Sequence, residues 1–156
     1  MEKQTLRLQL SSPEEIERLL QVVDRDLKDT KASGLSSDRK FAIAYSAALL
    51  LTTVVLRAKG YRTNPSMGGH HAVCIHALPF IMGSEWRPFS RYLDLCRGKR
   101  HTCEYASVDE TTDEDAATLI REAEKFHREV IKWLKTHHPS LLVSEKQMAR
   151  YTNYEK

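Results

Sequence analysis

Residues 97–105 read Arg-Gly-Lys-Arg-His-Thr-Cys-Glu-Tyr and bring two arginines, a lysine, an imidazole, a carboxylate and a phenol within nine positions. On a helix turning ~100° per residue, Phe89, Leu93, Cys96, Arg100 and Cys103 fall on one stripe, spaced i+4, i+3, i+4, i+3. Arg100 therefore sits within an apolar face, where a charge is costly without a partner. Arg97, His101, Glu104 and Tyr105 line the adjacent ridge. A guanidinium offers a planar fork of donors that matches phosphate oxygens. Two of them at i and i+3 can grip one phosphate or two adjacent ones. Arg97, Lys99 and Arg100 are thus the candidate phosphate-binding residues. His101 is a candidate general base near neutral pH. Tyr105 belongs to a residue type with a reference pKa near 10, so it would donate hydrogen bonds rather than take protons. The competing reading pairs Arg97 and Arg100 with carboxylates of other helices and leaves His101 and Tyr105 as ordinary polar residues.

A second segment, Gly68-Gly69-His70-His71, enters a helix, with Cys74 four residues after His70 and His76 beyond it. His70 and Cys74 share a face, as a metal pair would, but no third ligand is evident. We therefore assign no metal and no cofactor. The glycines instead leave helix N-terminal amides accessible, and such an end accepts anions. The segment is not a P-loop, because the lysine and its spacing are missing. The chain has no GxSxG, HExxH, CxxC or glycine-rich dinucleotide fingerprint.

Five helices and almost no strand are expected to position these residues. The first spans 13–31, with Ser12 as cap, Pro13 at the first position and Glu15 where a capping box wants a carboxylate. The second spans 37–59 between Ser36 and Gly60 and is apolar around most of its circumference, so other helices must surround it. A Pro- and Gly-bearing loop over 61–69 precedes a third helix over 70–82, which Pro79 should kink or shorten. The fourth spans 85–105. The fifth spans 113–137 behind a Thr112/Asp115 capping pair, with Leu119, Ala123, Phe126, Val130, Trp133 and Leu134 as a regular stripe. Residues 1–138 then form the bundle and 139–156 a mostly polar tail, which would dock on a partner chain or stay mobile.

The chain has 156 residues, 41% apolar and 29% charged, which suits one globular domain with a real core. A net charge of +3 is too mild for a general nucleic-acid binder. Charge is uneven: residues 86–105 are basic and 109–124 acidic, so neighbouring helices are expected to neutralise each other. Of the three cysteines, Cys96 and Cys103 stand seven residues apart on one helix. About 10 Å of rise separates them, too far for a disulfide. An odd count without a disulfide framework suggests a reducing, cytoplasmic setting. The first ten residues lack the apolar core of a signal peptide. The apolar run over 41–56 contains Tyr45, Ser46, Thr52 and Thr53 and falls short of the ~20 residues of a spanning helix. We read it as a core helix and expect no membrane span.

The helix order, with "SSDRKFAIAYSAALLL" followed by "GYRT…GGHHA" and "YLDLCRGKRHTCEY", resembles the HEPN superfamily of small all-α domains over about residues 12–138. The resemblance implies a four- to five-helix up-and-down bundle with a central apolar helix. It also implies dimerisation with the active site at the seam, and a place in toxin–antitoxin or defence systems. A subset of the family are metal-independent RNases carrying Arg, a polar residue, a short spacer and then His. By that pattern Arg100 matches the Arg, His101 the polar residue, and 102–104 the spacer; Tyr105 stands where the family places the catalytic His. Arg100, His101 and Tyr105 are then the candidate catalytic residues, and RNA or a nucleotide the expected ligand. The alternative is a non-catalytic partner of a nucleotidyltransferase-like protein, as homodimer or heteromer.

Overall fold

The structure is a computed structural model that describes residues 6–64, 69–105 and 111–142; the side chains of residue 7 and of 101–105 lie outside that description. It is an all-α bundle of five helices: α1 (Pro13–Asp29), α2 (Ser37–Ala58), α3 (His70–Met82), α4 (Arg87–Tyr105) and α5 (Asp113–His137). One turn of 3₁₀ helix, Ser84–Trp86, leads into α4, and another, Pro139–Leu141, follows α5.

Helix α2 is central. It packs against α1 and α5, and also against α3 and α4, which pack on each other. Its alanines Ala44, Ala47 and Ala48 are fully buried, and their small size lets the neighbouring backbones approach. Leu51, Val54 and Val55 complete its contribution to the core, facing Leu20 and Val23 of α1. By length and composition α2 could cross a membrane, and in this fold 56% of its most apolar window is buried by the rest of the protein.

The helix ends follow capping chemistry. Ser12 Oγ accepts from the Glu15 N–H, and Ser36 Oγ from the Arg39 N–H, each at 3.2 Å. Thr112 and Asp115 make the full reciprocal box, at 3.0 and 3.1 Å. Glu15 departs from expectation. Its carboxylate leaves the cap and bridges Arg57 (2.9 Å) and Arg62 (2.5 Å), because two guanidiniums outcompete one neutral amide.

Arg62 lies on a two-stranded antiparallel ribbon that the sequence reading placed in a loop. Strand β1 (Leu6–Leu8) pairs with β2 (Tyr61–Thr63), Leu6 opposite Thr63 and Leu8 opposite Tyr61. Gly60, at φ +93°, makes the turn from α2 into β2, a conformation that favours glycine. The bundle also extends past 138: Leu141 and Leu142, assigned to the tail, are buried in the core. The remainder of that tail, from 143 onward, and the 106–110 link lie outside the described residues.

Candidate functional site

Helix α4 is amphipathic as expected, beginning at Arg87 after its 3₁₀ turn. Leu93 and Cys96 of the predicted stripe are buried and Phe89 is half-buried against the core. Ser90, also buried, donates to the Ile75 carbonyl of α3 at 2.8 Å and fixes the register of the two helices. One turn beyond Cys96, Arg100 continues the stripe at the edge of the core. Its guanidinium lies over the ring of Tyr45, 5.3 Å from the centroid. An aromatic face attracts a cation without neutralising it, so the apolar stripe accommodates Arg100 while its charge persists.

Tyr45 comes from α2 and is 1% exposed. Its hydroxyl is 3.5 Å from His71 Nδ1. Burial raises the Tyr45 phenol to about 12 against the opposing charges of Arg100 and Arg97, so it stays protonated near neutral pH. His71 stacks on His70 at 5.7 Å between centroids. Both belong to the first turn of α3, whose N-cap is Gly69 at φ +78°. Among the described residues no side chain caps this end, and its first-turn amides carry the positive end of the helix dipole.

These pieces converge on one cleft of about 400 Å³, lined by Tyr45, Gly69, His70, His71, Arg97 and Arg100, with Ala72 behind them. The two segments singled out in the sequence, far apart in the chain, are thus walls of the same cavity. Among the described residues its lining includes two guanidiniums and a helix N-terminus, and no carboxylate. Arg97 is partly engaged: its Nε donates to Asp94 Oδ1 at 2.9 Å. Asp94 also lies 3.5 Å from His76 Nε2. The Arg97 hydrogen bond holds the Asp94 carboxyl below its ordinary range.

Not every candidate reaches the cleft. Lys99 turns to α5, where it pairs with Asp115. That contact is the helix-to-helix neutralisation expected of a basic α4 beside an acidic α5, and it takes Lys99 out of the phosphate-binding group. A second acidic residue of α5, Glu124, is neutralised by Lys31 at the end of α1 instead, at 2.8 Å. His101 and Tyr105 are carried by the last turns of α4, and their side chains lie outside the described residues. On α3, His70, His71, Cys74 and His76 share one helix, but among the described residues no three His, Cys, Asp or Glu side chains converge as a metal set would. Cys74 and Cys96 are buried free thiols. Burial pushes the Cys96 thiol up to about 11. Tyr45 is the site residue that sequence reasoning missed as such. It stood among apolar neighbours in the core helix, and its phenol was the one signal that set it apart.

No family model, no curated protein and no solved structure matches this chain.

Proposed function

We propose that this chain is a HEPN-like module that binds RNA phosphate or a nucleotide in the cleft between the α3 N-terminus and α4, in a toxin–antitoxin or defence setting. The observation that carries the reading is the convergence of Arg97, Arg100 and the first turn of α3 on one cavity that no carboxylate lines among the described residues. Fixed donors and dipoles aimed at one point are what a phosphate needs. In the catalytic form of this reading, the ribose 2′-oxygen attacks the adjacent phosphorus and the bond to the 5′-oxygen breaks. That leaves a 2′,3′-cyclic phosphate and a 5′-hydroxyl. Arg100 stabilises the charge on the phosphoryl oxygens, His101 takes the 2′-hydroxyl proton, Tyr105 orients the groups, and the leaving oxygen is protonated from solvent. No metal and no cofactor takes part.

A second reading, a non-catalytic partner of a nucleotidyltransferase-like protein, draws on two observations. Tyr105 replaces the base of the RNase pattern. Helix α3 also presents Phe80 to solvent at 85% exposure and α4 presents Leu95 at 75%, large apolar side chains of the kind a partner covers. Either reading suits a dimer or heteromer. The test is to incubate the purified chain with single-stranded RNAs of varied sequence in a chelator and to follow both binding and cleavage. Binding that Arg100→Ala abolishes supports the module, and cyclic-phosphate products support the nuclease. Intact RNAs end the enzyme version, and absence of binding to RNA and nucleotides ends the reading itself. A second polypeptide co-purifying at fixed stoichiometry favours the partner role.

A further inference from the structure

A second cavity, sharing no residue with the α3–α4 cleft, opens between α4 and α5 with a volume of about 660 Å³. Aromatic rings form its floor. Phe89 of α4 and Phe126 of α5 meet at 4.5 Å between centroids. Trp86 stands edge-on to Phe89 at 5.8 Å and lies 5.4 Å from Phe126. Tyr92 extends the row one helical turn beyond Phe89, at 6.4 Å. Phe126 is fully buried, whereas Trp86, Phe89 and Tyr92 are only half-buried, so their rings border open space.

The rim is acidic. Glu85, Glu122 and Glu129 line the cavity against one lining cation, Lys125, and Lys132, outside the lining, approaches Glu129 at 3.6 Å. Glu122 and Glu129 are seven residues apart on α5, hence on one face two turns apart, and both are half-buried. Ring faces attract cations, and carboxylates at the edge of a low-dielectric floor strengthen that attraction. An inorganic cation would have to shed its water onto carbon, which offers it no ligands. An anion would meet the wrong sign of charge. A cation with an apolar body satisfies floor and rim together, and the volume is that of a small-molecule site.

We propose that the α4–α5 groove binds a small organic ammonium ion, its alkylated head resting on Trp86, Phe89 and Phe126 and its charge balanced by Glu122 and Glu129. The test uses choline and its uncharged isostere 3,3-dimethyl-1-butanol, titrated into the full-length protein. Binding is followed by the NMR signal of the Trp86 indole N–H. Trp133, whose ring lies 4.8 Å from that of His138 and outside the groove, is the internal control. Choline should shift Trp86 saturably, leave Trp133 in place and bind about ten-fold more tightly than the isostere. Glu122→Gln with Glu129→Gln should weaken choline about five-fold without altering the ligand-free spectrum elsewhere. Equal affinity for choline and the isostere, no saturation at tens of millimolar, or an unaffected double variant would overturn the proposal. A trimethyllysine peptide binding more tightly than choline would also overturn it, by assigning the groove to a protein partner.

Discussion

Arg100→Ala separates a phosphate-binding cleft from a cleft that is merely basic. Binding to a single strand loses affinity with salt, with a logarithmic slope of about −0.7 per phosphate neutralised. If Arg97 and Arg100 each engage one phosphate, the cleft contributes a slope of about −1.4 at most. Arg97 delivers less than its share, because Asp94 already holds its Nε at 2.9 Å. Arg100 rests on the Tyr45 ring at 5.3 Å and lines the cleft. Its removal should therefore reduce the slope by about 0.7. It should also cost about 1.5–3 kcal/mol, the range for a hydrogen bond to a charged group. That corresponds to about ten-fold or more in affinity. Three neighbours calibrate the result. Arg97→Ala should cost less than Arg100→Ala, Lys99→Ala next to nothing because Asp115 already pairs with it, and Asp94→Asn should tighten binding by freeing Arg97. The assay is fluorescence anisotropy of a labelled single-stranded RNA across a potassium chloride series, with circular dichroism to verify that each variant folds. An Arg100→Ala protein with unchanged affinity and slope would refute the reasoning. So would a Lys99→Ala protein that loses as much as Arg100→Ala, because the cleft would then be no more than part of a diffuse basic surface.

Two further predictions concern stability and its pH dependence. Burial depresses the pKa of His127, with Asp24 at 3.4 Å opposing, so the folded protein holds the imidazole neutral where the unfolded chain protonates it. Its contribution is therefore present above about pH 6.5 and lost as pH falls below that value, at no more than about 1.4 kcal/mol per pH unit; urea unfolding of wild type and His127→Gln at a series of pH values should show the slope in the former alone. For Glu15, burial pulls the carboxyl up, but the Arg62 hydrogen bond and the charges of Arg62 and Arg57 together bring it below its ordinary value. Glu15 thus stabilises the fold above the unfolded carboxylate pKa, about 4.3, and this is lost as pH falls through the lower folded value. Glu15→Gln should cost about 1–2 kcal/mol at neutral pH and much less in acid, measured by the same unfolding series, because it strands two half-buried guanidiniums.

The bundle was legible in the sequence where one-dimensional pattern and local chemistry agree. Of the stripe expected on α5, Leu119, Ala123, Phe126, Val130 and Leu134 are buried and Trp133 is half-buried against the core, and its Thr112/Asp115 box closes as the spacing requires. The near-uniform apolarity of α2 likewise predicts a central position, which it holds, although Ile43, Leu49 and Leu50 stay half-buried. Elements of three residues carry no usable period, so the β1–β2 ribbon, which pairs Leu6 with Thr63 across two intervening helices, stayed hidden. Leu141 and Leu142 looked like part of a polar tail because two adjacent leucines lack a period of their own. Their burial depends on where α5 ends relative to α1.

Half of the candidate site was legible for a related reason. Each of its parts looked incomplete in the sequence. Arg100 was a charge on an apolar stripe that needed a partner, while Tyr45 registered only as a polar interruption of an apolar helix, and its need to place a buried hydroxyl went unread. Gly69 marked a helix start without a cap. Nothing in one dimension says that these three deficits belong together. The fold joins them: the Tyr45 ring receives the Arg100 cation, and its hydroxyl reaches the His71 ring in the first turn of α3. Lys99, only one residue from Arg100, goes to a different helix, because 100° of rotation carries it from the α3 side of α4 to the α5 side. A cluster of basic residues in sequence is therefore not a cluster in space. In a helical protein, the positions where a polar group interrupts an apolar face are the better guide to a site, because their mutual need for partners brings distant segments to one place.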